Sequence, residues 1–327
     1  HIAFVLSYPF VTPANGIISQ AESWKKGLEA IGHKVTCIDM WQRHDWRSFD
    51  AIHYFGFSMY MRQQIDCLEG VNEHIVVSPI LDPWFPKWVY RLYSYWGNDK
   101  LKLRNDHHGL RRISPKIKML AVRSDFEKSY MQESFGFSEA HCRIIPLSFE
   151  IEVPLPEQPK EDFCFHCSLL ADERKNVKRL IQAAQKYGFR LLLGGYTRNI
   201  QEEQKIKDWI GGSTNIEYMG YLSREEMLSY YSRAKVFALP STNEGVGIVA
   251  LEAAAMGCDI VLTSLGGPKE YYDGMALTVD PYNVDEIGNA VNRLLNGSTF
   301  QPRLGEWVRE KYSPTNIARE LEAMYLS

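Results

Sequence analysis

The 327-residue sequence predicts an α/β fold made of two doubly wound halves in series. Three observations carry this. Short apolar runs alternate with amphipathic stretches, the pattern of a parallel sheet covered by helices. The alternation pauses at SFEIEVPLPEQPKED (148–162), a stretch with three prolines and five acidic residues that reads as a linker. It then restarts with the same rhythm. Two such sheets face a cleft with the carboxyl ends of their strands, where open α/β sheets take ligands.

The first half reads in order as strand IAFVLS, helix ISQAESWKKGLEAIG and strand KVTCID. AIHYF, HIVVSPI, IKMLAV and CRIIPL continue as strand-like runs to about residue 147. After the linker come strand FCFHCSLL, helix NVKRLIQAAQKYG, strand RLLLGG and a helix near 200–210. NIEYMG, REEMLSYYSRA, KVFALP, a helix through IVALEAAAM and DIVLT follow. The last stretch, RLGEWVREKYSPTNIARELEAMYLS, is helical and broken at Pro314.

Composition narrows the function. Net charge is −3, so the chain as a whole has no electrostatic footprint for nucleic acid. No uncharged apolar stretch approaches the ~20 residues of a spanning helix. HIAFVLSYP has no basic leader and reads as a first strand rather than a signal peptide. The six cysteines (Cys37, Cys67, Cys142, Cys164, Cys167, Cys258) are scattered, as suits reduced thiols in a cytosolic protein. Cys164 and Cys167 are three apart in a strand, hence on opposite faces, and no second pair stands at zinc spacing. Asn296-Gly-Ser298 matches a glycosylation sequon that an intracellular chain would not use. The expected location is the cytoplasm, with peripheral contact at the inner face of the membrane.

The most informative stretch is NEGVGIVALEAAAMG (243–257). Glu244 and Glu252 stand eight positions apart, and from Gly247 to Met256 Glu252 is the one polar side chain. A carboxylate inside an apolar helix must be paired or hydrogen-bonded. Its partner is either a protein cation or a ligand. The strand ends at Leu239-Pro240, the loop carries Glu244, and the helix opens near Val246 or Gly247 with free backbone N–H groups that suit an anion. Gly245 and Gly247 permit close backbone approach. Glu252 can accept two hydrogen bonds side by side, which fits a vicinal diol such as ribose. The alternative is a capping Glu244 and a Glu252 paired with a core Arg or Lys.

This pattern resembles the Glu-x7-Glu signature of family 4 glycosyltransferases, retaining enzymes of the GT-B fold. ERKNVKRLIQAAQKYGFRLLLGGY, NIEYMGYLSREEMLSYYSRAKVFALPS and TSLGGPKEYYDGMALTVDP are similar to further segments of that family, in order, across 163–296. The N-terminal half is similar more loosely. The resemblance implies a GT-B fold with two Rossmann-like domains facing across a cleft. It implies an acceptor-binding domain at 1–150 and a nucleotide-sugar domain at 151–305, with a helix at 306–327 that packs back on the first domain. It implies that Glu252 holds the ribose, that Glu244 meets the donor sugar, and that Gly245, Val246, Gly247 and Ile248 meet sugar or diphosphate. Lys175 would neutralise the diphosphate, where charge builds as the glycosidic bond breaks.

The sequence also departs from the family pattern. Where the family has Gly-Arg, this chain has Cys167 and Ser168, with Arg174 as a substitute cation. Where the family has Gly-Gly in the N-terminal loop, it has Asn15 and Gly16. Where a His often follows an N-domain strand, Asp82 is the nearest polar candidate. The catalytic candidates are therefore Glu244, Lys175 and Asp82. The donor-binding candidates are Gly16, Asn15, Ser168, Arg174, Lys175, Glu244, Gly245, Val246, Gly247, Ile248 and Glu252. No metal and no cofactor are implied beyond a UDP- or GDP-sugar as donor substrate. The implied reaction is retaining, metal-independent hexosyl transfer to a hydroxyl of a glycan or lipid-linked acceptor, in cell-surface polysaccharide or glycoconjugate synthesis. A nucleotide-sugar epimerase and a non-catalytic nucleotide-sugar-binding protein are the rivals.

Two features stand outside that scheme. His53, at a strand end, is either a cleft residue or a satisfied structural histidine. Residues 84–118 hold nine Lys/Arg against two Asp, with Trp84, Trp88 and Trp96 ahead of most of the basic residues. Such a surface suits an anionic membrane or a lipid-linked diphosphate, and less well single-stranded nucleic acid. It equally describes an aromatic helix packed into the domain and followed by a solvated basic loop.

Overall fold

The computed structural model describes residues 1–7, 16–98, 101, 103, 105–149, 151, 159–297 and 299–327. Contacts divide the chain into two compact units, His1–Ser148 with Tyr312–Ser327, and Phe149–Lys311.

The first unit contains β1 (Ile2–Leu6), α1 (Gly16–Ala30), β2 (Val35–Cys37), β3 (Ala51–Phe55), α2 (Met59–Leu68) and β4 (Ile75–Ser78). It continues through α3 (Lys87–Tyr95), α4 (Asp106–Ile113), β5 (Met119–Val122), α5 (Asp125–Tyr130) and β6 (Cys142–Ile144). Its six strands are all parallel, in the order β2-β1-β3-β4-β5-β6. Strands such as AIHYF are buried at every position, which is why they read as unbroken apolar runs rather than as alternation.

The second unit contains β7 (Glu161–Leu169), α6 (Val177–Tyr187), β8 (Leu191–Tyr196), α7 (Ile200–Ile210), β9 (Ile216–Gly220), α8 (Arg224–Arg233) and β10 (Ala234–Leu239). It closes with α9 (Ile248–Ala255), β11 (Asp259–Thr263), β12 (Leu277–Val279), α10 (Val284–Leu295) and α11 (Arg303–Lys311). The parallel order β12-β11-β10-β7-β8-β9 reverses direction between β7 and β10. Open sheets bind ligands beyond the carboxyl ends of the strands at such a switch point. The core is built from Leu191, Leu193, Val236, Ala238 and Val261 on the sheet with Leu180, Ile181, Ile287 and Val291 from the covering helices.

The last helix, α12 (Pro314–Tyr325), returns to the first unit and packs on α1. Gly27 makes this fit: a Cβ there would stand 2.6 Å from the Pro314 carbonyl oxygen. His33, just past the end of α1, meets Glu322 of α12 at 2.8 Å.

Several expectations change here. The chain passes between units after Lys311 rather than at 306, because α11 packs on α9 and Arg309 donates to the Ala255 carbonyl at 2.7 Å. The first crossing falls between Ser148 and Phe149. Phe149 and Ile151 are buried, and Glu161 and Asp162 already belong to β7, so both ends of the expected linker are ordered structure. Residues 150 and 152–158 lie outside the described residues, as does Ser298 of the sequon.

His53 is a structural histidine. It is fully buried, with Nδ1 2.6 Å from the Tyr325 hydroxyl and Nε2 2.9 Å from Ser78 Oγ. Burial lowers its pKa to about 3, so the ring is neutral. The segment 84–118 is not a helix followed by a loop: its described part forms α3 and α4, which pack on each other. On α3 Tyr90 and Ser94 point inward, while Trp88, Leu92, Tyr95 and the C-capping Trp96 are exposed.

Candidate functional site

In the second unit the candidate residues gather at the switch point, around the carboxyl ends of β7 and β10. The connection after β7 makes a tight turn, Glu173–Lys175, capped by Asp172. The turn is tied to the connection after β10 by two devices. Thr242 N donates to the Arg174 carbonyl at 2.8 Å. Asn176, buried and left-handed (φ 58°), donates through Nδ2 to the carbonyls of Pro240 at 2.9 Å and Pro281 at 2.6 Å. Three connections are thereby pinned by one amide, and α6 begins where Asn176 holds it.

This tie brings Lys175 to Glu244. The ammonium donates to Glu244 Oε2 at 2.6 Å, and Ser241 Oγ donates to the same oxygen at 3.1 Å. Both charged side chains are more than four-fifths buried. Gly245, Val246 and Gly247 are buried, and Ile248 opens α9. Gly247 has φ 78°, and a Cβ there would stand 2.8 Å from Leu239. Only glycine fits this cap without displacing the strand end or the loop.

Ser168 and His166 point to the same face of β7. His166 is fully buried; its Nδ1 lies 2.7 Å from the Ala238 carbonyl and its Nε2 2.7 Å from Ser168 Oγ. A carbonyl only accepts, so the proton sits on Nδ1 and the Ser168 hydroxyl donates to Nε2. Burial lowers the His166 pKa to about 4, against the opposing Ala238 hydrogen bond, and the charge of Lys175 adds to the depression. Ser168 is therefore held by a neutral ring, and its oxygen keeps lone pairs for a donor.

Arg174 folds back on Asp172, with Nε at 3.1 Å and Nη2 at 2.7 Å from the carboxylate. Glu252 is buried on α9 and meets the guanidinium of Arg224, Nη1 to Oε2 at 2.7 Å and Nη2 to Oε1 at 2.6 Å. The protein cation that its sequence context called for is thus the first residue of α8. A capping box between Ser223 and Glu226 fixes that helix start.

The remaining candidates belong to the first unit. Gly16 opens α1, exposed, with no heavy atom within 4 Å of its Cβ position. Asn15 lies outside the described residues. Asp82 accepts from Arg123 Nη2 at 2.8 Å; Arg123 is buried and also bonds Glu127 and the Leu81 carbonyl, both at 3.1 Å. Among the described residues, no three His, Cys, Asp or Glu side chains converge as metal ligands. None of the described helices is long and apolar enough to cross a membrane.

His166, Asn176 and Arg224 were not among the candidates. His166 and Asn176 flank marked residues but carry no motif of their own. Arg224 lies 28 positions from Glu252, and no local spacing links them.

Two parallel six-stranded sheets covered by helices, with cations and carboxylates at the switch point of the second, define the class: a GT-B glycosyltransferase architecture. The family model for glycosyl transferases group 1 matches residues 150–311. An uncharacterized glycosyltransferase of Methanocaldococcus jannaschii is 30% identical over 93% of this chain and 79% of its own length. An MMP alpha-(1->4)-mannosyltransferase of Mycolicibacterium hassiacum is 27% identical over 66% of this chain and 55% of its own length. Among solved structures, Anabaena Alr3699/HepE in complex with UDP and glucose superposes with a TM-score of 0.70, covering 99% of each chain at 13% identity. The chain belongs to the group 1 glycosyltransferases.

Proposed function

We propose that the protein is a retaining glycosyltransferase of family 4 type. It transfers a hexose from a UDP- or GDP-sugar to a hydroxyl of a glycan or lipid-linked acceptor, without a metal, in cell-surface polysaccharide or glycoconjugate synthesis. One observation carries this reading. Lys175, Glu244 and the glycine-capped start of α9 meet at the switch point of a Rossmann-like sheet. An ammonium there can neutralise a diphosphate leaving group as its charge grows. The free N–H groups of Gly247 and the first turn of α9 add donors for the same oxygens. Glu244 would accept from donor-sugar hydroxyls once the diphosphate takes over Lys175. Ser168 and Arg174 flank the diphosphate, and Glu252 holds the ribose. That Asn15 and Gly16 bind the donor and that Asp82 is catalytic are parts of the same proposal. In the retaining course, the acceptor hydroxyl attacks on the face the diphosphate leaves, and the departing phosphate helps take its proton.

The neighbour solved with UDP and glucose supports a nucleotide-sugar donor, and the mannosyltransferase relative supports hexosyl transfer. We further propose a cytoplasmic enzyme that meets the inner face of the membrane through 84–118. A second reading, a nucleotide-sugar-binding protein without transfer, is favoured by one observation: the fork of Arg174 is turned onto Asp172.

Titration calorimetry of UDP and GDP, with their common sugars, against wild type and Glu252→Gln tests the donor site. Tight binding of one nucleotide, weakened in the variant, is the expected result. Absence of binding at millimolar concentration would reject it. Product analysis with that donor then separates the readings. Transfer, or slow donor hydrolysis, with the anomeric configuration kept is expected; binding with neither supports the second reading.

A further inference from the structure

We infer that Arg224 is the resident occupant of the ribose seat, so that a nucleotide enters by displacing its guanidinium from Glu252. The inference rests on reading Glu252 as the ribose acceptor, and it adds a residue that sets the affinity of that seat.

The geometry makes the competition direct. Arg224 gives one terminal nitrogen to each oxygen of Glu252, at 2.7 and 2.6 Å. Among the described residues these are the side-chain hydrogen bonds given to that carboxylate. A fork that takes both oxygens uses the edge of the carboxylate on which their lone pairs converge. The 2′- and 3′-hydroxyls of a ribose are likewise two donors side by side, and they need that same edge. The other two lone pairs point to opposite sides and cannot be reached by one vicinal diol. Guanidinium and diol therefore exclude each other.

Burial agrees. The Glu252 side chain is 5% exposed and that of Arg224 is 40% exposed, so the cation is the open side of the pair. Releasing a buried carboxylate into no partner would be costly, whereas exchanging one pair of donors for another is not. The backbone position of Arg224 does not favour a cation. It is the first residue of α8, where the helix dipole opposes a cation and where the next two residues, Glu225 and Glu226, are acidic as that end prefers. Pairing with Glu252 offsets that placement and holds the carboxylate in shape.

The consequence is a handicap on ribose recognition that removal of Arg224 lifts. The experiment compares UDP with 2′-deoxy-UDP, and GDP with 2′-deoxy-GDP, by titration calorimetry on the whole chain. The variants are Arg224→Gln, Arg224→Met, Arg224→Lys and Glu252→Gln. For the nucleotide that wild type prefers, the ribo-to-deoxy affinity ratio should rise roughly fivefold to tenfold in Arg224→Gln and Arg224→Met. Arg224→Lys, with a point charge that cannot cover both oxygens, should fall between them and wild type. Any one folded variant suffices, and thermal melting identifies which are folded. An unchanged or lower ratio in Arg224→Gln overturns the inference, because Arg224 would then be supporting Glu252 rather than competing for it. Glu252→Gln guards the premise. If it leaves the wild-type ratio unaltered, Glu252 is not the ribose acceptor, and the donor-site reading fails before the inference does.

Discussion

Lys175 Nζ lies 2.6 Å from Glu244 Oε2, joining the turn after β7 to the connection after β10. Each charge satisfies the other, and a diphosphate would take over the cation. Lys175→Met should therefore lower transfer by roughly a hundredfold or more, mostly in kcat, since leaving-group charge is greatest in the transition state. Its cost in folding should be only about 1–2 kcal/mol, because Ser241 still donates to Glu244. Initial rates over a donor series, beside urea unfolding, separate the two effects. A variant with wild-type kcat would remove Lys175 from the chemistry.

Asn176 positions that lysine by pinning the turn that carries it. Asn176→Ala removes the donor from two carbonyls and forces alanine into a left-handed conformation. A loss of about 3 kcal/mol is expected. Asn176→Gly keeps the conformation and loses only the hydrogen bonds, so it should cost about 1 kcal/mol less. Both should raise the donor KM as the Lys175 turn loosens. Equal stability of the two variants in urea would mean the backbone conformation contributes nothing.

The fold was legible because a parallel sheet buried on both faces leaves unbroken apolar runs, and all eleven strand-like runs of the reading are strands. The candidate loop stood out for a related reason: a carboxylate inside IVALEAAAM has no local excuse. What stayed hidden is long-range pairing. Arg224 meets Glu252 across 28 residues, and Asn176 meets Pro281 across 105. His53 was ambiguous because its partners, Ser78 and Tyr325, lie 25 and 272 residues away. The basic run at 84–118 read as one surface, yet Lys116 is paired with Asp66 and Glu69, and Lys87 with Glu133. Charge counts along a sequence do not reveal which cations are already neutralised.

Two buried neutral histidines set an acid limit. The folded pKa is about 3 for His53 and about 4 for His166, both below the ordinary 6.5. Between the folded and unfolded values the unfolded chain binds more protons, so stability rises with pH up to about 6.5 and is flat above. At pH 5 each ring would have cost the fold about 2 kcal/mol relative to pH 8. Urea unfolding at pH 8 and pH 5 reads this directly. His166→Gln keeps a donor for Ala238 and an acceptor for Ser168 but cannot be protonated. Its stability difference between the two pH values should shrink by about 2 kcal/mol. An undiminished difference would place the acid sensitivity in other groups.

The face of α3 turned away from its own unit is apolar, the reverse of an ordinary surface helix. Ser94 is buried and donates to the Arg91 and Ser134 carbonyls at 2.8 Å. Trp88 and Trp96 are 64% and 74% exposed, with Leu92 and Tyr95 between them. Arg91 is exposed on the flank of this face, and Arg111 stacks on the Tyr95 ring at 3.7 Å. Aromatic side chains flanked by cations match the interface of an anionic bilayer, where rings sit at headgroup depth and cations meet lipid phosphates. Sedimentation with vesicles of phosphatidylglycerol and phosphatidylcholine should capture the protein, and pure phosphatidylcholine should capture much less. Trp88→Ser with Trp96→Ser should weaken capture roughly a hundredfold, as expected for withdrawing two large side chains from the interface. Since both rings point outward, the double variant should melt at the wild-type temperature. Raised salt should weaken capture only in part, because the apolar contribution is not screened. Failure to bind anionic vesicles at low salt would reject the membrane role. A doubled mass in light scattering, abolished by the same substitutions, would assign the face to a second copy of the chain instead.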